Sequence, residues 1–275
     1  MNTLLKLPNV AGTFYDSDPI RLKAMIVKFI GDSPVLGTKN CRMLIVPHAG
    51  YIYSGPIAAS AYKLWEELGA QKQEVVILSP THYHHLSTIA SLTNDAYQTP
   101  LGNVSINKGA VEQLVQQNLV EIRPEIFERE HALEVHLPFL QILFRNLSIV
   151  PLIVGQVNSS EVVKILEVLD DGKRRFVVST DLSHFHSCEQ ARRLDAETAK
   201  LIETYQSERL RGEMACGYYP LRGVLEYALA HAMTVKRLDL RNSSDTAGEP
   251  ERVVGYGAFA IYSANDSEKT IASKV

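Results

Sequence analysis

Near-continuous apolar runs of strand length recur along the chain, each closed by a polar or turn-forming break. Residues 41–47 (Cys-Arg-Met-Leu-Ile-Val-Pro), 74–79 (Glu-Val-Val-Ile-Leu-Ser), 147–154 (Leu-Ser-Ile-Val-Pro-Leu-Ile-Val) and 175–180 (Arg-Phe-Val-Val-Ser-Thr) read as strands. Unbroken apolar character, rather than alternation, marks strands covered on both faces. Further strands are expected at 86–92, 234–241 and 252–262, with an antiparallel excursion over 96–107 around Pro100-Leu-Gly. Between them the period changes to that of helices. Asp18-Pro19, an N-cap acid followed by proline, opens a helix to Ile30. Others are predicted from Pro56 to Leu68 and over 108–118, 132–145, 188–204 and 218–231, and Asn158-Ser-Ser-Glu161 reads as a capping box before a helix to Leu169.

Alternation of strand and helix predicts an α/β fold, a central and largely parallel sheet with helices on both faces. No repeat or shift of composition marks a boundary, so one domain over 1–275 is expected, its last dozen polar residues frayed. A chain of this length can bury roughly three quarters of its unfolded surface. The net charge of −3 offers no basic field, which argues against nucleic acid. No apolar run approaches the ~20 residues of a membrane span, and Met1-Asn-Thr-Leu-Leu-Lys-Leu-Pro lacks a leader pattern. Three widely spaced cysteines (Cys41, Cys188, Cys216) read as reduced thiols in a cytoplasmic protein.

The candidate chemistry is carried by histidine. Eight of the nine fall in four clusters: His48; His82, His84 and His85; His131 and His136; His184 and His186. His48 follows one apolar run and His82 the neighbouring one, while Asp181 and His184 follow a third. In a parallel sheet the carboxyl ends of strands share one edge, where ligands bind. Imidazoles from several strand ends can therefore converge on a metal or acid–base site. The competing reading for each is a histidine hydrogen-bonded in a loop.

Asp181 and His184 suit an acid–base pair with its orienter, though Asp181 could equally cap the helix that follows. His131 and Glu134, three apart, could share a helical face. With His136 they form either a separate ligand set or a group that orients other site residues. Cys216 precedes a predicted helix, where the amino terminus favours thiolate, whereas an inert buried thiol is the plainer alternative. Ser243-Ser-Asp245 and Val253-Val-Gly255-Tyr-Gly257 supply either polar backbone to a pocket or a loop and a closing strand.

Read in order, these motifs resemble the Memo family, whose bacterial and archaeal members are labelled AmmeMemoRadiSam system protein B. The resemblance spans Val10-Ala-Gly-Thr-Phe-Tyr15, Pro47-His48-Ala-Gly-Tyr-Ile-Tyr-Ser-Gly55, Ser79-Pro-Thr-His82 and Glu130-His131-Ala-Leu-Glu134-Val-His136-Leu-Pro. It continues through Ser179-Thr-Asp181-Leu-Ser-His184, Cys216-Gly-Tyr-Tyr-Pro and Ser243-Ser-Asp followed by Gly255-Tyr-Gly-Ala. It implies a fold like the class III extradiol dioxygenases, which use non-haem ferrous iron. It also implies His48, His82 and Cys216 as metal ligands, with Asp181 and His184 beside them and His184 as the acid–base group. A thiolate where those enzymes carry a carboxylate departs from the usual oxygenase triad and leaves copper and zinc open beside Fe(II).

The expected function is a metal-dependent redox enzyme acting on a small molecule. The resemblance adds a functional link to the other AmmeMemoRadiSam components, one of them a radical-SAM protein. A non-catalytic metal- or peptide-binding protein and a zinc-dependent hydrolase are the alternatives.

Overall fold

The computed structural model describes residues 3–34, 41–69 and 72–263, so the expected frayed tail lies outside the described residues. In chain order the first six strands are β1 (Leu5–Lys6), β2 (Cys41–Val46), β3 (Lys72–Pro80), β4 (Ile89–Ser91), β5 (Ala96–Thr99) and β6 (Gly102–Ile106). They are followed by β7 (Glu121–Ile122), β8 (Asn146–Val154), β9 (Arg175–Ser179), β10 (His184–His186), β11 (Thr234–Asn242) and β12 (Val253–Tyr262). The helices are α1 (Pro19–Asp32), α2 (Tyr51–Tyr62), α3 (Lys108–Gln116), α4 (Leu137–Leu143), α5 (Ser159–Leu169), α6 (Cys188–Glu203) and α7 (Tyr218–Ala230).

At the centre β8, β3, β9 and β2 lie side by side, all parallel. These are the four apolar runs, and their valines, leucines and isoleucines are buried except the half-buried Leu147 at the start of β8. β12 pairs antiparallel with β2, and β10 and β11 pair with β12. On the other side β6 continues parallel to β8, and the β5–β6 hairpin carries the sheet to β1. Helices cover both faces. α1, α2 and α4 pack together, with α2 over β2 and β12, while α7 packs on α5 and lies over β3 and β9. The α/β architecture is the one expected.

Three local expectations need correction. β2 and β3 are not neighbours, because β9 lies between them. Strand order follows from how far each crossover reaches, which apolar content does not encode. Next, α2 begins at Tyr51, so Pro56 lies inside it. Its first turn is pinned from outside: Tyr51 N donates to Phe14 O (2.7 Å) and Tyr51 Oη to Val135 O (2.6 Å). Those bonds offset the single helical bond that proline forfeits. Finally, 132–145 is not one helix, since a 3-10 turn over Glu134–His136 precedes the short α4.

Glu134 shows why. Its carboxylate is fully buried and turned to the amino-terminal segment, accepting from Asn9 N (2.5 Å), Val10 N (3.0 Å) and Tyr15 Oη (2.6 Å). It therefore shares no helical face with His131. Burial and the adjoining Glu134 charge keep the Tyr15 phenol protonated, so it remains a donor. Hydrogen bonds to a charged group contribute about 1.5–3 kcal/mol. Tyr15→Phe is expected to lower stability by that amount in urea unfolding, and a change under about 0.5 kcal/mol would refute the tie.

Candidate metal centre

Because β3, β9 and β2 run parallel, their carboxyl ends open on one edge. Val46 stands opposite Ser179, Leu78 opposite Val178, and Thr180 N donates to Val46 O (2.9 Å). The next residues, Pro47-His48, Thr81-His82 and Thr180-Asp181, leave the sheet together. His131 reaches the same place from the loop before the 3-10 turn. One ligand atom from each of His48, His82 and His131 lies within 4.8 Å of the others, so the three form a group able to hold a metal ion.

Cys216 joins them. Its Sγ is 3.3 Å from His48 Nε2, and it is hydrogen-bonded to His82. Ligand atoms of a tetrahedral site with bonds of about 2.0–2.3 Å stand roughly 3.3–3.7 Å apart. Cys216 is fixed by backbone: Asp181 N donates to its sulfur (3.3 Å) and its own N–H to Asp181 O (3.3 Å). Gly217 allows this approach, since a Cβ there would overlap the Ser179 carbonyl oxygen and meet Thr180 Cβ at 2.8 Å.

Two of the three imidazoles, those of His82 and His48, are held from behind. Glu130, quoted in the sequence motif but given no role there, is the residue that sequence reasoning missed. Its Oε1 accepts from His82 Nδ1 (2.9 Å), His131 N (2.9 Å) and Ala132 N (2.9 Å), and its Oε2 from His82 N (2.6 Å). A carboxylate only accepts, so His82 Nδ1 must carry its proton and Nε2 is the nitrogen offered to a metal. Ser179 Oγ meets His48 Nδ1 at 2.7 Å. His136 is buried, with Nδ1 at Tyr62 Oη (2.9 Å) and Nε2 at Ser179 Oγ (2.8 Å). Both its nitrogens are engaged, so it orients other groups and has no lone pair to spare. The signal for Ser179 was available in the strand's last residue, but only strand pairing reveals what it touches.

Asp181 lies under His48: its Oδ1 accepts from His48 N (2.7 Å) and its Oδ2 is 4.0 Å from His48 Nε2. It does not cap the following helix, whose N-cap is Ser187. His184 sits half-buried in β10 opposite Val254, close enough for its charge to act on both Asp181 and His48. Asp195 of α6 braces that turn, accepting from Ser183 N (3.0 Å). Gly255 adds backbone bonds to Leu182 and Ser183 (both 2.8 Å) as part of the closing strand β12. His84 and His85 are exposed, and His231 stacks on Tyr227 at 4.0 Å, outside the group. The three cysteines are free thiols.

Burial dominates the electrostatics. It drives His48 well below the usual imidazole value, helped by His82 and His131, and lowers His131 to about 4 and His136 to about 3. Burial opposes charge on His82 as well, but hydrogen bonds with Cys216 and Glu130 outweigh it and push the pKa up to about 10. Burial raises the Cys216 thiol and lifts Asp181 to about 6. His131 Nδ1 is buried without a hydrogen-bond partner. An imidazole nitrogen that makes no hydrogen bond, 3.5 Å from the buried Glu130 carboxylate and grouped with two oriented imidazoles, suits a divalent cation better than a dry core.

Comparison with known proteins shows the family of the chain. The model of the Memo-like protein family matches residues 6–260. A MEMO1 family protein of Sulfolobus acidocaldarius is 34% identical, covering 92% of this chain and 98% of its own. Others from Caldivirga maquilingensis and Methanopyrus kandleri are each 33% identical over 93% and 92% of this chain and 98% of their own.

Two measurements check the site. Glu130→Gln is expected to weaken zinc binding by about 10–100-fold at pH 7, as loss of a ligand-orienting group does; unchanged affinity would show that Glu130 does not orient the imidazoles. Thiol titration of denatured, unreduced protein should count three, and a count of one would reveal an unforeseen disulfide.

Proposed function

The chain belongs to the Memo family, and we propose that its histidine–thiol centre holds a redox-active transition metal, ferrous iron or copper, for oxidoreduction of a small molecule. The observation that carries this reading is the grouping of buried His48, half-buried His131 and exposed His82 at one strand edge, with Cys216 3.3 Å from His48 Nε2. Imidazole with thiolate is a donor set for iron, copper and zinc and not for magnesium or calcium, which take oxygen. When bound, iron or copper supplies one-electron exchange.

The protein's own residues would do the rest. Glu130 and Ser179 fix the angle of two imidazoles, so little ordering is needed when the ion arrives. Asp181, 4.0 Å from His48 Nε2 with its carboxyl lifted to about 6 by burial, is suited to take up and return a proton near neutral pH. His184, half-buried beside Asp181, would pass that proton between the pocket and solvent. Tyr83, 47% exposed and with its ring 6.2 Å from His131, would form part of the mouth that a substrate crosses.

Anaerobic purification followed by elemental analysis tests the proposal. Iron or copper is the expected content, and zinc alone would favour hydrolysis by a bound water instead. His48→Ala, His82→Ala, His131→Ala and Cys216→Ala should lose most of the metal. His184→Ala should keep near wild-type occupancy while any turnover drops by about 10²–10⁴-fold, the typical contribution of a proton-transfer group. A metal-free His184→Ala protein would put His184 among the ligands.

A further inference from the structure

Ser179 lies at the end of β9, fully buried, with its hydroxyl against three groups at once. They are His48 Nδ1 at 2.7 Å, His136 Nε2 at 2.8 Å and the Ala132 carbonyl oxygen at 2.7 Å. A serine hydroxyl has one proton to give and two lone pairs. The carbonyl can only accept, so the proton goes to Ala132. Both lone pairs must then receive protons, one from each imidazole.

The rest of the chain agrees. With Nε2 donating to Ser179, a neutral His136 presents Nδ1 as an acceptor, and there it meets Tyr62 Oη at 2.9 Å. Tyr62, His136 and Ser179 are all buried, so water has little access to supply a missing partner. The alternative, in which Ser179 donates to His48, sets its lone pairs against the Ala132 oxygen at 2.7 Å. That is a repulsive contact in a low-dielectric interior.

We infer that Ser179, seated by His136 and Tyr62, is a positioning residue that holds His48 as its Nδ1–H tautomer and so leaves Nε2 bare at the metal position. A neutral imidazole otherwise takes either tautomer, and the wrong one points an N–H at the ion. His82 is set by a buried carboxylate, whereas His48 is set by an uncharged relay three side chains deep. The relay contributes no net charge, so it orients without adding to the centre's anionic character.

The inference rests on the proposed metal site only for its affinity arm. The tautomer is read in metal-free, full-length protein with ¹⁵N-labelled histidine, by long-range ¹H–¹⁵N correlation that distinguishes the protonated ring nitrogen. Wild-type His48, assigned by loss of its signals in His48→Gln, should show Nδ1–H and a bare Nε2. An Nε2–H pattern in wild type overturns the inference, whether or not any variant folds. In Ser179→Ala the Nδ1–H restriction should be lost, with cobalt(II) affinity by absorption titration falling about 10–100-fold. Ser179→Thr, which keeps the hydroxyl, should restore both. An Ser179→Ala protein whose His48 tautomer is unchanged refutes the assignment even if affinity falls, because the loss is then merely structural. Wild type that takes up no cobalt would defeat the metal reading while leaving the tautomer result standing.

Discussion

Everything at the centre depends on the parallel pairing of β3, β9 and β2. Hydrogen bonds between parallel strands are evenly spaced, so the pairing fixes how far each strand advances before it ends. Val46 opposite Ser179 and Leu78 opposite Val178 bring the three exits level. A slip of one residue would reverse the direction of every side chain beyond it. The apolar runs are buried on both faces, which makes such a slip costly and gives polar groups at the edge a rigid frame.

The loop before α4 shows how one short segment serves two structures. Glu130 and Glu134 are four residues apart, yet their carboxylates face different ways. Glu130 gathers His82 and the amides of His131 and Ala132, while Glu134 gathers Asn9, Val10 and Tyr15. The amino-terminal segment is thereby fastened to the loop that supplies His131, and Phe14 packs its ring 4.6 Å from that imidazole. Buried carboxylates are costly without donors. Here each has backbone N–H groups to satisfy it, so the loop can be compact without being helical.

How much of this could be read from the chain follows from where the information lies. Strands and most helices were legible because burial on both faces leaves an unbroken apolar run, and period changes mark the helices. His48, His82 and Asp181 were legible because each follows such a run. Pro56 misled because local propensity favours it at a helix start, while the bonds that begin α2 five residues earlier come from Phe14 and Val135. The roles of Glu130, Ser179 and Tyr62 were not legible, although Ser179 ends an apolar run, since what matters about them is a partner 48, 131 or 74 residues away.

The same long separations bear on how the molecule is made. His48 and Cys216 meet across 168 positions, and His48 and Asp181 across 133. Contacts of that span carry the full loop-closure entropy and form late in folding. Neither the imidazoles nor the thiol can be near one another until the central strands have paired and α7 has docked. An ion could not act as a nucleus here, as it does in a small zinc module whose ligands lie within one hairpin and helix. Assembly of the chain and the binding of any ion would thus be separate events in time, with the non-local pairing of the open sheet completed first.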